Sequence, residues 1–310
     1  MGVFVYLPLV LPLTALPIAR LAEQHLHPRS ATRLLAAVGT TLALCSTVCL
    51  ALLMVVGTAQ LPGNPLPDGW SDPEVRAAVP YEEKAGIVAI GVLAAVVVAC
   101  GSVVHHHVRQ RVRAARALRS LSEQPSVVAV LPDPEPYAYA LPGSPGRVVV
   151  STAMMECLTA RERRALVAHE RAHLTARHHR YLLATQLAAR ANPFLLPLRT
   201  AVAYSTERWA DEAAAQATGD RRAVAGAVGK AALFAHRSPD ALPALAAVGP
   251  IPRRVAALLD PVPPTRLWPP SSAHVAFAGL VATVGTTMSA LSSLNATVTL
   301  VRILHAATPL

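Results

Sequence analysis

The sequence predicts a mainly α-helical membrane protein, with four transmembrane helices and a cytoplasmic α+β domain between the third and fourth. Three observations lead there. Hydrophobic residues make up 53% of the 310-residue chain, charged residues only 15%, and the mean hydropathy is +0.41, outside the usual range of soluble domains. Uncharged apolar runs near both ends are long enough to cross a bilayer. Between them the pattern changes to short β-type stretches and polar helices, one of which carries His169-Glu170-Arg171-Ala172-His173.

The chain divides into residues 1–107 with three spans, 108–270 with the polar domain, and 271–310 with the fourth span and a short tail. The first span covers about 3–19. It has no basic start and no small-residue cleavage site, so it reads as a membrane helix and not as a removed signal peptide. Pro8, Pro12 and Pro17 should kink it, which membrane helices tolerate. The second and third spans cover about 34–59 and 85–104, joined by an acidic, Pro- and Gly-rich loop, Gln60 to Lys84. The fourth, Ala273 to about Val301, is richer in Thr and Ser.

Charge sets the orientation. The net charge is +10, and Lys84 and Lys230 are the only lysines. Arg109, Arg111, Arg113, Arg116 and Arg119 follow the third span, and Arg20, Arg29 and Arg33 lie around the first loop, whereas the second loop is acidic. By the positive-inside rule the N-terminus and C-terminus are expected outside and the polar domain in the cytoplasm. That need accounts for the basic residues, and no direct nucleic-acid binding is expected. Cys45, Cys49, Cys100 and Cys157 have no disulfide or metal spacing and read as small buried hydrophobes.

In the polar domain, Ser126–Leu131, Tyr137–Leu141 and Arg147–Ser151 read as strands between Pro- and Gly-rich turns. A helix from Ala160 to about His179 starts with a capping box, Thr159 and Glu162. Leu182–Leu198 is apolar but interrupted by Arg190 and Asn192-Pro193; a membrane-dipping segment and a plain core helix are both open readings. Thr200–Thr218 reads as a second long helix ending at Gly219, Arg221–Leu259 as helical, and Pro261–Pro270 as a linker.

The chemistry centres on His169, Glu170 and His173. Histidines at i and i+4 share a helical face and can reach one metal ion. Glu170 can take a proton from an activated water without being a ligand, the arrangement of a zinc hydrolase. One more protein ligand is needed, with one position left open. Glu207, 34 residues after His173 on a separate helix, is the candidate. Asp211 lies one turn further on the same face and can orient a ligating histidine. Tyr204 and Arg208 are alternative donors to an oxyanion. His178 and His179 fall more than a turn beyond the metal on a straight helix and are expected to be structural or interfacial. His105, His106 and His107 read as a membrane flank.

The residues His169-Glu170-x-x-His173, Asn192-Pro193-Phe194 and Glu207-x-x-Ala210-Asp211 resemble those of the BlaR/MecR-type membrane metallopeptidases, an antirepressor family of zinc proteases. Tyr137 to Gly143 and Val148 to Thr152 resemble the related HtpX/Ste24-type membrane proteases. The resemblance spans roughly Ser126 to Leu259, and the layout, with the polar domain between spans three and four, is similar too. It implies a gluzincin-type metalloprotease domain with one Zn²⁺ per chain. His169, His173 and Glu207 would be its ligands, Glu170 the general base, and Asp211 the residue that orients a ligating histidine. It further implies a multi-pass cell-membrane protein that cleaves a protein or peptide substrate, a cytoplasmic transcriptional repressor or the chain itself. The other readings are membrane-protein quality control of the HtpX/Ste24 kind and a non-catalytic signalling or scaffold protein. The sensor members carry a large extracellular penicillin-binding domain after the last span. Here nine residues follow Val301, so β-lactam sensing is not expected.

Overall fold

The computed structural model describes residues 2–59, 61, 83–120, 127–143, 145–235, 250–263 and 273–306. Most of the predicted Gln60–Lys84 loop, residues 236–249 of the predicted Arg221–Leu259 helical stretch, and most of the proline linker lie outside these residues.

The first apolar stretch is two helices, α1 (Gly2–Val10) and α2 (Ala15–His25), joined by a 3₁₀ turn over Leu11–Thr14. Pro12 lies within that turn, where the missing N–H disrupts regular α hydrogen bonding. α3 (Pro28–Thr58) starts with Pro28 in its first turn and the His27 side chain accepting from Arg29 N–H. α4 (Glu83–Ser120) runs well past the expected end at Val104, carrying the arginine series on its last turns. Among the described residues, Val5–His25, Pro28–Thr58 and Lys84–Ala117 are long and apolar enough to cross a membrane. α3 and α4 touch at paired glycines: a Cβ on Gly57 would lie 2.3 Å from the Gly86 carbonyl carbon. Small residues at such a crossing let two backbones approach.

The sheet has three strands, β1 (Val128–Leu131), β2 (Ala138–Leu141) and β3 (Arg147–Ser151), in the order β1-β3-β2. β1 is parallel to β3, with Ala129 opposite Val149; β2 is antiparallel to it, with Tyr139 opposite Val149. β3 is central, and Val148, Val149 and Val150 are fully buried.

α5 (Thr152–Cys157) leads into α6 (Ala160–Thr175), whose capping box forms as expected: Glu162 N–H donates to Thr159 Oγ1, and Thr159 N–H donates to Glu162 Oε2. α6 is shorter than the sequence predicts. It stops at Thr175, and Arg177 adopts a left-handed conformation (φ 53°) before α7 (His178–Ala191) sets off in a new direction. For a residue other than glycine that conformation costs about 1–3 kcal/mol. A 3₁₀ turn (Pro193–Leu195) precedes α8 (Leu196–Thr218), which begins four residues before the predicted Thr200. α8 ends at Gly219 in the left-handed conformation glycine tolerates (φ 67°). α9 (Arg221–Ala235), α10 (Ile251–Leu259) and α11 (Ala273–Ala306) complete the chain.

α8 joins two cores. Its first turns place Leu198, Ala201 and Val202 among apolar side chains of α2 and α3, with Ala188 of α7. Its last turns place Ala214 and Ala215 in a second core with β3, α6, α9 and Leu258 of α10. Leu182–Leu198 is therefore a helix and turn packed on the apolar bundle, with Phe194 and Leu196 left half exposed. Glu207 and Asp211 fall between the two cores.

Candidate metal centre

Ala165 and Leu166 of α6 share a core with Ala214 and Ala215 of α8, and the polar residues of the two helices meet beside it. His169 comes from the middle of α6, His173 from one turn later, and Glu207 from the facing side of α8. The two Nε2 atoms are 3.1 Å apart. His169 Nε2 lies 3.5 Å from Glu207 Oε2, and His173 Nε2 lies 3.6 Å from Glu207 Oε1.

These spacings test the fit of a metal. Four ligands at about 2.0–2.1 Å around tetrahedral zinc stand roughly 3.3–3.4 Å apart, so the three donor atoms bracket that edge length. Two imidazoles and a carboxylate are also the donor types zinc takes. The residues fit the ion, and His169, His173 and Glu207 are a group that can hold a metal.

The surroundings are charged and buried. Asp211 is 0% exposed and its Oδ1 lies 3.1 Å from His169 Nδ1, a close charge contact although the N–H is not aimed squarely at the oxygen. Arg254, on α10, is buried too. Its Nε and an amino group donate to the two Asp211 oxygens at 2.9 and 2.7 Å, and its other amino group lies 3.0 Å from Glu207 Oε2. One guanidinium thus clamps both carboxylates.

The protonation states follow from this arrangement. Burial alone would lower His169, but Asp211 and Glu207 outweigh it and hold the imidazole at about 10. Burial alone would raise Glu207, but His173, Arg254 and His169 hold it well below the ordinary carboxylate range. Asp211 is likewise held low against its burial by Arg254 and His169. Burial lowers His173, with Glu207 opposing. Glu170 is only partly exposed, beside this group, and its charge is felt at both His173 and Arg254.

The other expected residues divide. Tyr204 lies one turn before Glu207, its ring covered by the Arg253 guanidinium at 4.4 Å. Arg208 donates from one amino group to Glu212 at 2.7 Å, and Glu212 also pairs with Arg221; its other amino group is buried without a hydrogen-bond partner among the described residues. His178 departs from expectation because α6 and α7 are not one straight helix. The turn at Arg177 brings its Nδ1 to 3.0 Å from His173 Nδ1. Burial pushes His178 down to about 3.

Sequence reasoning missed two residues. Arg254 lies 43 residues beyond Asp211, and no periodicity or motif marks it. Trp209 was passed over although it is adjacent to Arg208; its ring packs on His178 at 4.7 Å and carries Arg29 and Arg33 of α3 near its face.

Against known proteins, the family model for Peptidase family M48 matches residues 104–191. The matched stretch includes His169, Glu170, His173 and His178 and ends before Glu207. No curated protein and no solved structure shows a significant match. With the apolar helices and the three-ligand group, the family match supports a metallopeptidase of a membrane-type zinc family.

Proposed function

We propose that the protein is a membrane-embedded, zinc-dependent endopeptidase in which His169, His173 and Glu207 hold the ion. The observation that carries this reading is the convergence of three donor atoms at tetrahedral spacing beside Glu170. When bound, zinc supplies a Lewis acid for the scissile carbonyl and acidifies water. Glu170 accepts the water proton and returns it to the leaving amine. Asp211 orients His169 through Nδ1, leaving Nε2 for the metal, and Arg254 keeps Asp211 and Glu207 ionised. Tyr204 and Arg208 are the two expected oxyanion donors, and Arg208 keeps one amino group unpaired among the described residues while the other donates to Glu212. β2 is an edge strand beside α6, so an extended peptide can pair with the side that no described strand occupies.

For topology, α11 is read as the fourth span: it is 34 residues long and packs against α1, α2 and α3. The N-terminus and C-terminus are placed outside and the metal centre on the cytoplasmic side, supported by the arginines on the last turns of α4. The role we propose is cleavage of a cytoplasmic repressor or of the chain itself, as the resemblance to the BlaR/MecR type implies. Quality control of membrane proteins is the alternative, and a broad cleavage pattern in place of a single site would favour it. A scaffold role leaves Glu170 without a task.

The test is zinc content and cleavage by full-length protein in detergent, beside Glu170→Ala and Glu207→Ala. One zinc per chain and cleavage in wild type, zinc without cleavage in Glu170→Ala, and loss of zinc in Glu207→Ala are expected. Folded wild type that binds no zinc would overturn the reading.

A further inference from the structure

We propose that His178 is a positioning residue for the metal centre: its Nδ1 accepts the Nδ1–H of His173 and so fixes the tautomer that turns His173 Nε2 toward the metal. The inference rests on the ligand assignment above and adds a residue that assignment does not contain.

The two candidate ligand histidines are held in matching ways. Each presents Nε2 to the other, 3.1 Å apart, and each has a polar atom close to its far nitrogen. For His169 that atom is Asp211 Oδ1 at 3.1 Å; for His173 it is His178 Nδ1 at 3.0 Å. A ligating imidazole needs a lone pair on Nε2, so its proton sits on Nδ1 and must be donated. In the absence of metal the demand on His173 is the same. His169 Nε2 lies between Glu207 and His173 Nε2, and an imidazole of His169 that donates there needs His173 Nε2 as acceptor. Both states put the His173 proton on Nδ1, facing His178.

His178 can accept because of how it is packed. It is 1% exposed, at the first turn of α7. The left-handed Arg177 swings it back over the end of α6, where its ring meets His173 edge-on, with centroids 4.7 Å apart and planes at 88°. With Nδ1 as acceptor, its proton lies on Nε2. That nitrogen is buried without a hydrogen-bond partner among the described residues, and the ring packs on Trp209 at 4.7 Å between centroids. On Trp209 the guanidinium groups of Arg29 and Arg33 lie 5.7 and 5.4 Å from the ring. His178 is not read as a ligand: the nitrogen it turns to the site is the one that faces His173 Nδ1, on the side of the ring away from Glu207.

The experiment measures zinc affinity of the full chain in detergent by chelator competition, for wild type, His178→Phe and His178→Asn. Phenylalanine keeps a ring against Trp209 but accepts nothing. Asparagine places a carbonyl oxygen where Nδ1 stood. Removing such a partner weakens zinc binding by roughly 10–100-fold, the result expected for His178→Phe. His178→Asn should recover most of the affinity, and cobalt-loaded wild type and His178→Asn should share one visible spectrum, because the coordinating atoms are unchanged. Wild-type affinity in His178→Phe overturns the proposal, as does equal loss in both variants. ¹⁵N imidazole spectra of zinc-free wild type read the same point without any substitution: His173 protonated at Nδ1 upholds it, and protonation at Nε2 overturns it. That spectrum also separates the two claims, since wild type that binds no zinc defeats the protease reading while the tautomer still reports on His178.

Discussion

Arg254→Met is the most demanding test of the charge arrangement at the centre. Arg254 is 2% exposed and makes three contacts, at 2.9 and 2.7 Å to Asp211 and 3.0 Å to Glu207. Methionine fills similar volume but leaves two buried carboxylates facing only the imidazoles of His169 and His173 among the described residues. Removing one side of a buried ion pair costs about 3–5 kcal/mol, because the remaining charge stays desolvated. At about 2–4 °C per kcal/mol for a domain of 150–250 residues, the thermal midpoint of zinc-free protein should fall by roughly 6–20 °C. Zinc should narrow that deficit, since a bound cation offsets part of the carboxylate charge that Arg254 neutralised. Arg254→Lys should fall between the two, because an ammonium keeps the charge but not the fork. The assay is thermal unfolding in detergent, followed by circular dichroism, with and without zinc. If zinc-free Arg254→Met melts with wild type, or if zinc widens the gap, the reasoning is wrong.

The remaining predictions concern other levels of the structure. Glu170→Gln should bind zinc with wild-type stoichiometry while peptide cleavage falls by about 10²–10⁴-fold; cleavage near wild type would remove Glu170 as the base. Gly57→Ala should force α3 from α4, since its Cβ would meet backbone at 2.3 Å, and overpacking of this kind costs about 1–3 kcal/mol in thermal stability. Gly91→Ala, with nothing within 4 Å, is the neutral control on the same helix as Gly86. Glu162 supplies a pH dependence away from the metal centre. Burial would raise it, but Lys230 and the Thr159 N–H outweigh that and hold it below its ordinary 4.5. A depressed carboxyl contributes fully above its unfolded value and loses the contribution as pH falls through the folded value. The stability gap between wild type and Glu162→Gln should therefore be constant above about 4.5 and close on acidification below it; a gap that widens in acid contradicts the assignment.

Several features of this chain are decided locally, and the sequence alone determines them. Apolar runs of span length, the capping box at Thr159 and Glu162 and the termination at Gly219 depend on residues within a few positions of one another. The same holds for the shared face of His169 and His173, which follows from helical spacing, and of Glu207 and Asp211. Glu207 was reachable from sequence only as a carboxylate on a second helix, and the packing of α8 on α6 is what brings it to 3.5 and 3.6 Å from the two imidazoles. Arg254 and His178 were not legible in this way. Arg254 reaches Asp211 across 43 residues, through the docking of α10 on α8, and nothing in its own surroundings distinguishes it from other arginines. His178 was placed too far away because no glycine or proline marks the turn at Arg177. That residue takes a left-handed conformation it disfavours, and the neighbouring pocket it helps to build holds His178 between His173 and Trp209. Helix spacing and capping are short-range and survive in the bare sequence, whereas the partners that orient a ligand depend on which helices pack together, and only the folded chain decides that.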